Sequence, residues 1–283
     1  MGVHLPWEVI HVVLGLLAEK HRNLSPISLA CRVFLDFCRK HQFAKIIIDL
    51  PPTFLKYPDA IYCSSTRFAQ LPDLSSPEPG VLEGIPPIVD NIAAVEVYTT
   101  DAAFPDVIST PFKMLTKLKS LHITDLRRSR AGSISIDLNS SLALGLRSVI
   151  YHSLKIPTFR ELKLALGLDN FPLSLLRGTS VRSLALFDVL LSPEDGSQGY
   201  NTIGLAPATL SELQIHSKSV IHLINLLEAS YPYNDASIDI RGLTKLDISQ
   251  ASPDCSSVLE SMVALAPELR TVHLYSNYRQ YDD

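Results

Sequence analysis

A six-residue spacing, apolar-x-x-apolar-x-apolar, recurs along the chain from residue 92 onwards. It fits Ile92/Val95/Val97, Leu118/Leu121/Ile123, Leu146/Val149/Tyr151, Phe159/Leu162/Leu164, Val181/Leu184/Leu186, Leu210/Leu213/Ile215, Leu243/Leu246/Ile248 and Leu269/Val272/Leu274. The last two apolar positions are two residues apart, the period of a β-strand, so they share one face and point into a core. The first apolar position, three residues earlier, is expected to close a turn. Each match therefore predicts a tight turn feeding a short strand. Most successive starts lie about 22 to 33 residues apart, but Phe159 follows Leu146 by only 13. One of those two is expected to be a different element.

Amphipathic stretches lie between the matches. Ser219–Ser230 places Val220, Leu223, Ile224 and Leu227 on one helical face, and Ser256–Leu265 reads as a second helix. Ile134–Leu138 and Ile238–Ile240 are short alternating runs that predict extra strands on an outer side. Strand and helix alternating at this period, with one face of each strand buried, predict a solenoid of the leucine-rich-repeat period. The alternative is an ordinary α/β domain with a parallel sheet.

The first fifty residues follow a different rule. Pro6 suits a helical first turn, and Val9, Ile10, Val13, Leu14 and Leu17 follow at helical spacing. Ser25-Pro26 restarts a helix as N-cap and first position, and Leu29, Ala30, Val33, Phe34 and Phe37 line its apolar face. Ile46-Ile47-Ile48 reads as a buried strand, ended by Pro51-Pro52. Helices this short bury too little to be stable alone, which implies a covering surface from the next domain or another chain. Eight prolines between Pro51 and Pro87 mark a connector with an exposed loop at Leu71–Gly80.

Composition narrows the function class. Net charge is −4, with charged residues at 19% and apolar residues at 46%. Wholesale disorder is excluded, and with no dense basic run neither nucleic acid nor an acidic membrane is an expected partner. No run approaches the roughly 20 apolar residues of a bilayer span, and Glu8 and His11 break the first stripe, unlike a secretory leader. Cys31, Cys38, Cys63 and Cys255 match neither a zinc pair nor a disulfide framework. A reducing compartment, cytoplasm or nucleus, is expected. Cys38 and His41 could share a helix face but lack two further ligands of matching spacing, so no metal or other cofactor is expected.

Leu5-Pro6-Trp7-Glu8-Val9-Ile10, followed by Leu29-Ala30-Cys31-Arg32-Val33-Phe34, resembles an F-box. Arg39, His41 and Phe43, leading into a strand, resemble the F-box-like variant of large fungal families, whose members usually carry irregular leucine-rich repeats behind the module. The resemblance covers roughly residues 4–49, with Phe34 where the family frequently has Trp. It implies an α+β chain: an F-box-like helical module at 1–49, a Pro-rich connector at 50–91, an irregular leucine-rich-repeat-like α/β solenoid or horseshoe at 92–276, and a polar tail at 277–283. It also implies the substrate-recognition subunit of a Skp–cullin–F-box ubiquitin ligase. Leu5, Pro6, Ile10, Val13, Leu14, Leu17, Leu29, Val33 and Phe34 would then hold the Skp-family adaptor, and through it a cullin. The strand faces near Thr124, Asp188, Ser217 and Ser249 would contact an unknown protein target.

No nucleophile elbow, phosphate loop, zinc-protease helix or dinucleotide fingerprint is present. His122, His216 and His273 each fall between two inward positions of a strand and are expected to face outward. A non-catalytic binding protein is therefore the first reading. A repeat scaffold or inhibitor whose first helices merely cap the array is the second, and an α/β enzyme with an unrecognised site the third.

Overall fold

The computed structural model describes residues 44–50, 92–99, 109–125, 136–140, 143–192, 205–216, 223–225, 236–249 and 256–275. The F-box-like helices and nearly all of the expected connector lie outside the described residues, as do the four cysteines.

Eight strands line up side by side in chain order: β1 (Lys45–Leu50), β2 (Ala94–Thr99), β3 (Ser120–Asp125), β5 (Glu161–Pro172), β6 (Ser183–Ser192), β8 (Glu212–His216), β10 (Lys245–Ser249) and β11 (Thr271–Tyr275). A two-residue strand, β4 (Ile136–Asp137), joins the far half of β5 and completes a nine-stranded sheet. The remaining short strands, β7 (Ala208–Thr209) and β9 (Ile238–Asp239), form a separate pair. Every pairing among the described strands is parallel. Among the described residues the α-helices of four residues or more are α1 (Ser109–Phe112), α2 (Leu144–Leu154) and α3 (Ser256–Leu265).

The recurrent sequence spacing has a direct backbone counterpart. In each turn the residue two before the first inward strand position offers its carbonyl to two consecutive N–H groups of the next turn. Ala44 O accepts from Ala93 and Ala94, Ala93 O from Lys119 and Ser120, and Lys119 O from Arg160 and Glu161. The series continues through Arg160, Arg182, Ser211 and Thr244, ending on the N–H groups of Arg270 and Thr271, all at 2.7–3.2 Å. The turn-closing role of the first apolar position is visible at Phe159, Leu243 and Leu269. Their N–H groups donate to the carbonyls of Ile156, Ile240 and Ala266, three residues back.

Inward side chains of neighbouring strands then meet in register. Val95, Leu121, Leu162, Leu184, Leu213 and Leu246 form one row, and Val97, Ile123, Leu164, Leu186, Ile215 and Ile248 the next. All twelve are buried and belong to one core. Parallel crossovers are almost always right-handed, so strands taken in chain order carry their connections on one face. Burial agrees: the inward positions of these two rows from β2 to β10 are buried, while the alternate positions Ser120, His122 and Thr124 stay partly exposed. One face of the sheet is the core and the other is open.

Leu146/Val149/Tyr151 is not a strand but part of α2, which buries Leu146, Val149, Ile150 and Leu154. A spacing of three then two fits a helix almost as well as a turn and strand. Burial of adjacent Val149 and Ile150, which a one-sided strand would split between faces, is what separates the two. The short run at Ile136 is a strand of the main sheet, whereas that at Ile238 pairs away from it. Ile46–Ile48 lies in β1, the first strand of the sheet, in register with β2. Residues 223–225 are helical with Leu223 and Ile224 buried, as the amphipathic pattern predicts.

Candidate functional site: the open face of the sheet

Register determines which outward residues become neighbours. One row runs Ile47, Glu96, His122, Lys163, Ala185, Gln214, Asp247 and His273; the row before it contains Lys45, Ser120, Glu161, Ser183, Glu212, Lys245 and Thr271. Each lies at an x of the apolar-x-x-apolar-x-apolar spacing, which Phe43/Ile46/Ile48 also fit. Charge and imidazole groups are therefore concentrated on this face because the alternate face excludes them.

At the β1–β2–β3–β5 end, His122 lies between two carboxylates. Its Nδ1 is 3.3 Å from Glu96 Oε1 and its Nε2 is 2.9 Å from Glu161 Oε1. A neutral imidazole donates from one nitrogen only, an imidazolium from both. Lys45 Nζ reaches the same Glu96 oxygen at 2.7 Å, and the Tyr98 hydroxyl donates to Glu96 Oε2 at 3.3 Å. Partial burial pushes the Glu96 carboxyl up. The Lys45 ammonium, His122 and the Tyr98 hydroxyl outweigh it and hold the group below its ordinary value.

A second cluster occupies the β10–β11 end. Asp247 is buried to 6% exposure and accepts from Lys245 Nζ at 3.1 Å and from His273 Nδ1 at 2.8 Å. The hydrogen bond and charge of Asp247 raise the Lys245 ammonium above its ordinary value. The His273 and Tyr275 rings lie 6.0 Å apart. Between the clusters, Lys163 Nζ sits 5.8 Å from the Phe187 ring centre, a cation–π distance.

These side chains are held by one another and by a fixed sheet, which suits recognition of another surface. A doubly wound α/β sheet places its ligand crevice where the strand order reverses, and among the described strands the order does not reverse. Among the described residues no three His, Cys, Asp or Glu side chains are grouped to hold a metal, and no helix is long and apolar enough to cross a membrane.

Thr124 lies on this face, in register between Tyr98 and Ala165. Asp188 falls in β6 where the pairing slips from Ala165↔Phe187 to Leu168↔Val189. Ser249 ends β10 as the register partner of His216 and Tyr275. Ser217 and the nine expected adaptor contacts lie outside the described residues. His122 and His273 face outward as expected. The residues that sequence reasoning passed over are their partners Glu96, Glu161 and Asp247, and the pair Lys163 and Phe187. All five occupy an x position or the residue just after the spacing, and that position is the signal that could have found them. Comparison with protein-family models, curated proteins and solved structures finds no match to this chain.

Proposed function

We propose that the chain is a non-catalytic substrate receptor of a Skp–cullin–F-box ubiquitin ligase. Residues 1–49 take the Skp-family adaptor, and the open face of the sheet takes the target protein. The observation that carries the reading is a parallel sheet in unbroken chain order, with one open face bearing paired charges, imidazoles and aromatic rings, directly following a segment with F-box spacing. Repeat arrays use extended faces of this kind to bind proteins. Thr124 and its neighbours on β2, β3 and β5 are the proposed target contacts, with Asp188, Ser217 and Ser249 further along.

A second reading has its own support. Lys45 opens the edge strand within the last residues of the F-box-like segment, and the end of a repeat array is where a cap is needed. Co-expression with a Skp-family adaptor separates the two. The receptor reading expects co-purification of the wild-type chain and its loss in a Leu5→Ala, Pro6→Ala double variant that keeps the wild-type circular dichroism spectrum. A folded wild-type chain that the adaptor does not retain overturns the receptor reading in favour of the cap.

A further inference from the structure

Among the described strands β11 pairs only with β10. Val272 and Leu274 continue the two core rows, being the register partners of Leu246 and Ile248. Their partners are fully buried, yet Val272 is 40% and Leu274 50% exposed. Val263 on the neighbouring helix α3 is 53% exposed and Tyr275 50%. Half of the eight large hydrophobic residues exposed among those described therefore gather on α3 and β11.

Among the described residues the backbone edge is equally open. Thr271 N–H donates to Thr244 O at 3.0 Å, so the N–H groups of Thr271, His273 and Tyr275 face β10. By alternation the N–H and C=O groups of Val272 and Leu274 face away from it. An edge with both apolar side chains and backbone groups turned away from the sheet is a template for another strand.

The pattern of this edge matches itself. A two-fold axis through His273 sets Val272 opposite Leu274 of a second copy, Leu274 opposite Val272, and Thr271 opposite Tyr275. Two-fold pairing of identical strands is antiparallel. In that ladder His273 forms the non-hydrogen-bonded pair, which its inward-facing N–H requires. The flanking Val272–Leu274 pairs exchange about four hydrogen bonds through the groups that face outward. No other centre within the strand aligns all four aliphatic side chains: an axis through Val272 sets Leu274 against Arg270, and one through Leu274 sets Val272 against Ser276. The same axis keeps the core faces of both sheets on one side.

We infer that β11 is a homodimerisation edge, at which two copies of this chain join in one continuous sheet by antiparallel pairing centred on His273. The inference does not depend on what the open face binds. Its test is sedimentation velocity of the full chain over a concentration series, with Leu274→Lys, Leu190→Lys as a control at an exposed leucine on β6, and His273→Cys. The expected result is a monomer–dimer equilibrium in wild type and in Leu190→Lys. Leu274→Lys should weaken it by roughly a hundredfold, since each dimer carries the charge twice and each costs about tenfold. Its circular dichroism and thermal unfolding should remain those of a folded chain. His273→Cys should yield an oxidised covalent dimer that wild type, with its own four cysteines, does not form.

A wild-type chain that is monomeric throughout overturns the inference. Slow amide exchange at Val272 and Leu274 in that monomer would assign the edge to another segment of the same chain. A dimer untouched by Leu274→Lys overturns the location. A dimer in which His273→Cys does not cross-link overturns the His273-centred register.

Discussion

Leu164 and Leu190 lie on adjacent strands and carry the same side chain in opposite environments. Leu164 sits mid-row on β5 at 0% exposure, between Ile123 and Leu186; Leu190 on β6 is 43% exposed. Leu164→Ala removes three carbons from a closed core. At about 0.8 kcal/mol per buried CH2 the transfer loss alone is about 2.4 kcal/mol, and the cavity left behind brings it to about 3–4 kcal/mol. Leu190→Ala removes the same atoms from a site already open to water. It leaves no closed cavity and costs about 1 kcal/mol or less. Urea unfolding followed by circular dichroism reads both. With a slope of about 2 kcal/mol/M, Leu164→Ala lowers the midpoint by roughly 1.5–2 M and Leu190→Ala by at most roughly 0.5 M, at unchanged slope. Equal midpoint shifts would refute the division into a closed face and an open one.

The Glu96 carboxyl, held below its ordinary value of 4.5, adds stability that is fully present above that value and is lost as pH falls through the lowered one. Glu96→Gln should therefore flatten the acid side of a plot of urea midpoint against pH, below about pH 5; an unchanged acid slope would count against the Lys45–Glu96–His122 cluster. Gly178 has φ +69°, and an added Cβ would lie 3.1 Å from Leu205 Cδ1. Gly178→Ala is expected to cost about 1–2 kcal/mol from the left-handed backbone alone. A thermal midpoint at or above wild type would contradict that.

Much of the fold is legible locally. A strand with one buried face must alternate, and a chain that enters every strand through the same turn must repeat the apolar residue that closes it. Phe159, Leu243 and Leu269 follow that rule, and so do the inward pairs from Val95/Val97 to Leu246/Ile248. The pattern failed at Leu146, because two periods overlap over so short a window and only the burial of Ile150 decides between them. Ile46–Ile48 was legible as a strand but not as a strand of this particular sheet, since nothing local names its neighbour.

The site divides in the same way. The sequence by itself determined that His122 and His273 face away from the core, because alternation is a property of consecutive residues. Only the tertiary structure decided what they meet. Glu96 and Glu161 are far apart along the chain and reach one imidazole because β2, β3 and β5 lie parallel and in register. Asp247 and His273 meet for the same reason across β10 and β11. Register is fixed by the repeated turn carbonyls and by the mutual burial of two aliphatic rows, a cooperative result of all the turns together that no single turn encodes.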